Sequence, residues 1–212
     1  MDISSSEKFE PPSDCWSGTM IGMYHDRLPH WVVDYGCYAL TFHCADSLPA
    51  VALEKLREIV ASDRSVESSD DAFLEESRRR FKIMEHYLDQ SYGTSPFKAD
   101  SLRQAMHEFL EDFDGVFRFR HWVMMPNHLH LLTEPMRFES TNGFKRAIKD
   151  FKMKSTFFAN RELDRSGRLW MTSDYDRWVR DVAEYRRWVK YLQANPVKAG
   201  LCRQPSNWVG LK

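Results

Sequence analysis

The stretch that decides the fold is VFRFRHWVMMPNHLHLLTE, which occupies residues 116–134. Its first part alternates apolar and basic side chains and then becomes continuously apolar, and this pattern predicts a β-strand over 116–125. Pro126 and Asn127 interrupt the pattern before a second apolar run begins. Because proline donates no hydrogen bond to a sheet, we expect an edge, a bulge or a hairpin-like break at this point.

The second part of this stretch carries two histidines, His128 and His130, separated by one leucine. Residues two apart in a strand share a face, so both imidazoles should point the same way while Leu129 and Leu131 point to the other side. Two imidazoles within reach of a single ion make half of a metal site. The spacing alone leaves a second interpretation open, in which the pair is the polar face of a half-exposed strand.

Outward from this stretch, hydrophobic periodicity and turn residues predict further strands and helices. They are a strand over 35–44, helices over 50–62, 71–90, 98–113 and 141–160, an extended segment over 168–181, and a last helix over 181–194. We expect residues 1–28 to form a tail and residues 29–212 to form a single domain with a helical insertion over about 62–114. The helices of this insertion should lie at the periphery of the domain.

The last predicted helix carries a tyrosine outside its apolar stripe. That stripe runs from Val182 to Leu192, and Tyr191 lies roughly 120° from its centre. Asn195 follows one turn later above the same edge of the helix. The Tyr191 hydroxyl is therefore free to face a site, with the Asn195 amide beside it. An ordinary boundary tyrosine and a helix-ending asparagine before Pro196 would give the same pattern.

Composition limits the class of protein. The chain has 212 residues and 42% hydrophobic content, enough for one domain with a sizeable core. No apolar stretch approaches the roughly 20 residues that cross a membrane, and the acidic N-terminus has no signal-peptide pattern. The four cysteines are scattered, so reduced thiols are expected rather than a disulfide framework or a zinc knuckle. These features predict a soluble, cytoplasmic protein.

The formal net charge of −1 hides an asymmetry along the chain. Residues 1–114 hold 11 Lys+Arg and 22 Asp+Glu, a balance of −11, whereas residues 115–212 hold 19 and 9, a balance of +10. A basic half with interleaved aromatic residues is typical of a nucleic-acid surface. On charge alone, a solvated helical surface is an equal alternative.

Three motifs occur in a fixed order: HWVMMPNHLHLL at 121–132, RLWMTSDYDRWVRD at 168–181 and YLQANPVKAGL at 191–201. Together with LPHWVVDYGCYALTFHCADSLP at 28–49, they resemble the REP-associated tyrosine transposases. These are bacterial relatives of the single-tyrosine HUH transposases, named for a His–hydrophobic–His motif. The resemblance covers about 27–61 and 115–202, and the stretch between them matches only loosely, as an insertion seen in longer members.

The resemblance implies an α+β fold, with an antiparallel sheet of the ferredoxin-like or RRM-like kind, helices on that sheet, and the histidine strand at its centre. It implies that His128 and His130 bind a divalent cation, Mg²⁺ or Mn²⁺, and that Asn195 supplies a third polar ligand. Tyr191 takes the place of the nucleophile, so that the implied catalytic residues are Tyr191, His128 and His130. Asp176 and Arg177 occupy the acidic and basic positions that precede the last helix.

The substrate implied by the resemblance is single-stranded DNA with a palindromic (REP) hairpin, which is cut and rejoined through a 5′-phosphotyrosyl intermediate. Such chemistry needs no ATP, and the chain has no P-loop motif, so no nucleotide cofactor is expected. The basic residues expected to contact DNA are Arg118, Arg120, Lys149, Lys152, Lys154, Arg168, Arg177, Arg180, Arg187 and Lys190.

Two other functions stay open on the sequence. One is a domesticated protein that binds palindromes without cutting them, and the other is a hydrolytic metallonuclease that needs no tyrosine. The presence of all the implied catalytic groups argues mildly against the first. We expect a monomer rather than a homodimer, acting on bacterial DNA at the nucleoid.

Overall fold

The computed structural model describes residues 18–25, 29–63 and 70–212. Within these ranges the chain forms six strands and five α-helices. In chain order they are β1 (Met20–His25), β2 (Pro29–Val33), β3 (Cys37–His43), α1 (Ala50–Asp63), α2 (Asp70–Leu88), α3 (Asp100–Glu111), β4 (Phe119–Met125), β5 (His128–Thr133), α4 (Thr141–Glu162), β6 (Tyr175–Val179) and α5 (Val182–Lys198). No helix in the described part of the chain is long and apolar enough to cross a membrane.

The main sheet has four strands in the order β4-β5-β3-β6, and every neighbouring pair is antiparallel. Helices connect β3 to β4 and β5 to β6, whereas β4 and β5 follow each other directly. This order of strands and helices is the β-α-β-β-α-β arrangement of ferredoxin-like folds. The predicted α+β class is confirmed, and the strand that carries the histidine pair is central.

The interruption at Pro126 and Asn127 is a two-residue hairpin. Met125 and His128 face each other as the first pair of the β4–β5 ladder, so the two interrupting residues form the connection between the strands. A proline in the connection removes no hydrogen bond from the ladder, which explains why it is tolerated beside two buried strands.

The two faces of the sheet carry different elements. Leu129 and Leu131 enter the larger core, which is closed by α3 and α4. The opposite face, which includes Val123, Met125 and Leu132, packs against the apolar stripe of α5. His128 and His130 share this second face by the alternation of the strand. The tyrosine helix therefore lies on the same side of the sheet as the histidine pair.

The end predicted for the last helix is wrong, because α5 continues through Pro196 to Lys198. Its last turn is closed by the backbone N–H of Ala199, which donates to the carbonyl of Asn195 at 2.9 Å. Pro196 has no N–H to donate, but the N–H of Leu201 donates to the carbonyl of Pro196 at 2.8 Å, so the bonds around the proline keep the turn closed. At the other end, the Asp181 side chain caps the helix by accepting from the Glu184 amide at 2.6 Å.

The expectation that the stretch 62–114 lies at the periphery is wrong for α3. Leu102, Met106 and Leu110 of this helix are buried in the larger core together with Phe97. The topology gives the reason, since a ferredoxin-like sheet needs a helix between its first and second strands to cover one face. The α2 helix also has a central position, beside the tyrosine helix.

The predicted tail of residues 1–28 falls mostly outside the described residues. The part that is described contains β1, which pairs with β2 as a separate two-stranded sheet. Within the described ranges, strand pairing is thus present from Met20 on, ahead of the boundary expected from the sequence.

A substitution of Phe97 tests whether the stretch 62–114 belongs to the core. Its ring is fully buried and lies 5.7 Å from the ring of Trp170, centroid to centroid. We expect Phe97→Ala to lower the free energy of unfolding by about 3–5 kcal/mol through lost burial and a residual cavity. Urea unfolding measures this loss, with the half-exposed Val116→Ala as control. A loss below about 1 kcal/mol would show that the stretch is dispensable to the core.

Candidate metal and tyrosine site

The two predicted histidines are held in defined orientations on the sheet. His128 Nδ1 lies 2.8 Å from Asn127 Oδ1, and His130 Nδ1 lies 2.8 Å from Thr41 Oγ1. The two imidazole centroids are 4.7 Å apart. In both rings Nδ1 is engaged by a neighbour, so Nε2 is the nitrogen available as a ligand. Outer contacts of this kind fix the ring of a metal-ligating histidine.

Both imidazoles are neutral at physiological pH. Each is at most 1% exposed, and burial lowers the pKa of His130 to about 3. Burial also lowers the pKa of His128 well below its usual value, and the adjacent His130 contributes in the same direction. A metal ion binds the neutral form of imidazole, so the fold keeps this pair in the state that ligation needs.

Tyr191 reaches the same place from α5. Its hydroxyl oxygen lies 3.4 Å from His130 Nε2, and its ring stands edge-on to the His130 imidazole with centroids 5.3 Å apart. The side chain is half-buried, so one part of the ring faces the histidines and another part is accessible to solvent. The structure therefore brings together the three residues predicted as catalytic. Tyr191 and His130, which are in contact, lie 61 positions apart in the sequence.

Glu85 joins this group from α2, and no sequence motif indicated it. Glu85 Oε2 accepts a hydrogen bond from the Tyr191 hydroxyl, and Glu85 Oε1 lies 3.5 Å from His130 Nε2. The ligand atoms of Glu85, His128 and His130 all lie within 4.8 Å of one another, and all three residues are buried. Burial, with a contribution from Asp89, raises the pKa of the Glu85 carboxyl to about 8.

A signal for Glu85 does exist in the sequence. Phe81, Met84 and Leu88 repeat at helical spacing and form the apolar stripe of α2, in which Met84 and Leu88 are buried. Position 85 lies on that stripe, where a carboxylate is rare unless it has a partner. A charged residue inside an apolar stripe is thus the observation that would have pointed to a site.

The residues present fit a divalent cation. His128 Nε2 is buried and makes no hydrogen bond within the described residues, and the same holds for both amide atoms of Asn195, which is 1% exposed. A buried polar atom without a partner costs about 1–3 kcal/mol. A cation held between Glu85, His128 and His130 would remove this cost at the histidine. Mixed imidazole and carboxylate ligands suit Mn²⁺ better than Mg²⁺, which prefers oxygen ligands.

Asp176 and Arg177 point to opposite sides of the sheet. Asp176 pairs with Leu40 in the register of β3 and β6, and its carboxylate makes an ion pair with His30 on the larger-core side. Arg177 is on the tyrosine side, where its Nε donates to Glu184 Oε1 at 2.5 Å. Only Arg177 of this pair therefore lies beside Tyr191.

The basic residues predicted to contact DNA fall into separate groups. Arg177 and Arg187 line a pocket that also includes Tyr191. Lys149, Lys152 and Arg168 line a second groove between α4 and the loop that precedes β6.

The remaining predicted contacts lie outside both cavities. Two of them are engaged internally: Arg118 donates to three backbone carbonyls, and Lys154 forms ion pairs with Asp114 and Asp150. Arg180 stacks its guanidinium over the ring of Trp178. The other two are Arg120, which is half-buried on β4, and Lys190, which is exposed on α5.

Thr41 tests the orientation of the histidine pair. The change Thr41→Val keeps the shape of the side chain but removes the hydroxyl that contacts His130 Nδ1. We expect Mn²⁺ affinity to fall by about 10–100-fold, as it does when outer contacts of ligating histidines are removed. Isothermal titration calorimetry measures the affinity, with the exposed Thr172→Val as control. Equal affinity in the two variants would mean that Thr41 does not orient a ligand.

Comparison with known proteins gives one relative in sequence. A REP-associated tyrosine transposase of Escherichia coli (strain K12) is 28% identical over 96 residues, which are 45% of this chain and 53% of the relative. The chain thus aligns with about half the length of that relative. No protein-family model matches the chain.

Among solved structures, the chain is similar to that of a REP-associated tyrosine transposase bound to a REP hairpin. It is 18% identical, with a TM-score of 0.42 over 88% of this chain and 80% of that chain. At this TM-score the match adds nothing to the fold derived above from strand order. The similarity in sequence to the E. coli protein confirms the resemblance to the REP-associated tyrosine transposases that the ordered motifs predicted.

Proposed function

We propose that the chain cleaves and rejoins single-stranded DNA at palindromic hairpins, with Tyr191 as the nucleophile. The observation that carries the proposal is the contact of the Tyr191 hydroxyl with both Glu85 and His130, inside a buried Glu/His/His group. A tyrosine that served only for packing would not need its hydroxyl beside a buried carboxyl and an imidazole. The similarity to a tyrosine transposase supports the same chemistry.

Glu85, His128 and His130 would hold the divalent cation, and Asn195 would add the fourth protein ligand by its place one turn after Tyr191. The cation would neutralise charge on the scissile phosphate and polarise its phosphorus–oxygen bonds. Thr41 and Asn127 keep the histidine rings in place, and the surrounding buried strands exclude water from the ligand atoms.

In the cleavage step the Tyr191 oxygen forms a bond to phosphorus, and the bond between phosphorus and the 3′ oxygen breaks. The proton of the hydroxyl passes to Glu85 Oε2, which accepts its hydrogen bond and which the positive charge of a bound cation would keep ionised. The departing 3′ oxygen takes up a proton from solvent water and becomes a hydroxyl. The DNA is then joined to Tyr191 through its 5′ phosphate.

The rejoining step reverses these changes. A 3′ hydroxyl attacks the phosphotyrosine, loses its proton, and expels Tyr191, which recovers its own proton from Glu85. One phosphodiester bond is made for each one broken, so the pair of steps needs no ATP. This balance is in accord with the lack of a P-loop motif in the sequence.

The groove along α4 is the surface we propose for the hairpin. It has a volume of about 760 Å³ and carries Lys149 and Arg168 together with Phe157, whose side chain is 71% exposed. Basic and aromatic side chains are the usual contacts of DNA backbones and bases. The groove borders the strands that carry the site, since the Met171 amide in its wall donates to the carbonyl of His43, which pairs with His128 in the sheet.

The proposal is tested by incubating the protein with end-labelled single-stranded DNA that carries a palindromic hairpin, in the presence of Mn²⁺. A denaturing gel should show a labelled protein–DNA adduct that is absent with EDTA and with a perfect duplex of the same sequence. Hairpins found beside the gene that encodes the chain are the first substrates to use.

Other outcomes separate the alternative functions. Hairpin binding without any cleaved product, in protein that binds Mn²⁺, indicates a palindrome-binding protein. Cleavage that yields no adduct and persists in Tyr191→Phe indicates a hydrolytic metallonuclease.

A further inference from the structure

A pocket of about 490 Å³ opens beside Tyr191, between α2, β6 and α5. Tyr191 belongs both to the metal site and to this pocket, because its hydroxyl contacts Glu85 and His130 and its ring lines the pocket. The volume lies within the roughly 300–1,000 Å³ of small-molecule sites. Neither the catalytic chemistry proposed above nor the groove along α4 accounts for it.

The pocket has aromatic walls from three elements. Phe81 of α2 lies 4.4 Å from the ring of Tyr175 and 5.8 Å from that of Trp188, centroid to centroid. Trp188 stands edge-on to Tyr191 with centroids 5.3 Å apart. Tyr175 is buried, whereas the other three rings are half-buried and keep accessible surface. Rings fixed by one another in this way form a platform on which a planar base can stack.

The rim of the pocket is strongly basic. Arg78 and Lys82 come from α2, and Arg177 and Arg187 come from β6 and α5. Among the described residues that line the pocket, the only acidic one is Glu184, which is bonded to Arg177. Arg78, Lys82 and Arg187 are exposed. Arg78 also makes an ion pair with Glu75 at 3.6 Å, but both side chains of that pair are exposed, so all three cations can reach an anion at the mouth. Four cations against one carboxylate favour a ligand with a phosphate group.

Stacking walls below a cationic rim match a planar aromatic base attached to a phosphate. We infer that this pocket binds one unpaired nucleotide of the DNA strand, adjacent to the phosphate that Tyr191 attacks. That the nucleotide belongs to the cleaved DNA strand rests on the proposed function. That a nucleotide binds at all rests on the walls and the rim of the pocket itself. Since Arg78, Phe81 and Lys82 all belong to α2, this helix would contribute to substrate binding as well as supplying Glu85.

Photocrosslinking tests where the base lies. A short single strand containing 5-iododeoxyuridine, placed in turn on each side of the cleaved phosphate, is irradiated with the full-length protein and the crosslinked peptide is sequenced. We expect crosslinks to Phe81 or Trp188 from one of the two positions. Crosslinks that map only to the α4 groove, from both positions, overturn the inference.

Charge variants test the phosphate contact. The double variant Arg78→Gln/Lys82→Gln changes two exposed side chains, so the fold should be unaffected. We expect the affinity for the single strand, measured by fluorescence anisotropy, to fall roughly tenfold. The slope of the logarithm of the binding constant against the logarithm of the salt concentration should be shallower by about 1.4, for two lost contacts. The matched control is Arg57→Gln/Arg79→Gln, which removes two exposed cations outside the pocket. Equal losses in both doubles would count against a specific site.

Two further arms separate the possible failures. Free 5-iododeoxyuridine 5′-monophosphate that crosslinks as efficiently as the strand would mean that the ligand is a free nucleotide and would overturn the assignment to DNA. If the adduct with Tyr191 forms but the crosslinks avoid the pocket, the inference fails while the proposed function stands. If the crosslinks lie in the pocket but no adduct forms with the same strand, nucleotide binding stands and strand cleavage fails.

Discussion

Tyr191→Phe should lower the yield of the covalent protein–DNA adduct by on the order of 10³-fold or more, with DNA affinity unchanged within about twofold. The change removes only the oxygen that contacts Glu85 and His130 and keeps the ring that packs against Trp188. The buried carboxyl loses one hydrogen bond, which costs stability but not the fold. The yield is read on a denaturing gel, and affinity is read by anisotropy with the same oligonucleotide.

The control for this prediction is Tyr185→Phe, on the same helix. Tyr185 is fully buried against the second face of the sheet, so its hydroxyl has no access to a phosphate. We expect this variant to form the adduct at nearly the wild-type level. An adduct that persists in Tyr191→Phe and disappears in another tyrosine variant would move the nucleophile elsewhere in the chain.

His128→Ala should abolish the stabilisation of the protein by Mn²⁺. At a concentration of 100 times its dissociation constant, a ligand stabilises the folded state by about 2.7 kcal/mol. For a chain of this size that corresponds to a rise in melting temperature of roughly 5–10 °C. The variant loses the imidazole nitrogen that has no other partner among the described residues and keeps only one imidazole beside Glu85 and Asn195. We therefore expect binding too weak at the same Mn²⁺ concentration to give a rise beyond the scatter of the measurement.

The comparison is made between each variant with and without Mn²⁺, because the cavity left by His128→Ala lowers the melting temperature by itself. His86→Ala serves as the control, since His86 is exposed on α2 and is not one of the clustered ligands. It should respond to Mn²⁺ as the wild type does. A normal response in His128→Ala would place the metal site outside the histidine pair.

The sequence predicted most of the fold because its patterns are local. The alternation before Pro126, the break there and the apolar run after it define a hairpin within 20 residues, and side-chain period two puts His128 and His130 on one face. The helices α1, α2 and α4 begin and end within two residues of their predicted bounds. The end of α5 was missed because the bonds from Ala199 to Asn195 and from Leu201 to Pro196 continue the helix past the proline, and the sequence pattern does not show these bonds.

The candidate site was predicted less completely. Spacing alone left both the histidine pair and Tyr191 with ordinary structural explanations, and the ordered motifs were needed to group them. Glu85 was not predicted as a site residue, because the stretch around it matches no motif. Its role depends on which residues α2 packs against in the folded chain. The same holds for Asp176, whose carboxylate is on the far side of the sheet from Tyr191, bonded to His30.

The α+β class was implied by the resemblance of the ordered motifs to a known family. By itself, the sequence determined the break at Pro126, the two histidines on one face of the run that follows, and the position of Tyr191 outside the apolar stripe of its helix. These features depend on neighbours a few residues apart. Only the tertiary structure decided that α2 closes over α5, so that Glu85 contacts Tyr191 across 106 positions of sequence and Arg78, Phe81 and Lys82 line a pocket beside it. Contacts at that separation arise from the burial of whole helix faces against the sheet, and no local pattern in the sequence specifies which faces meet.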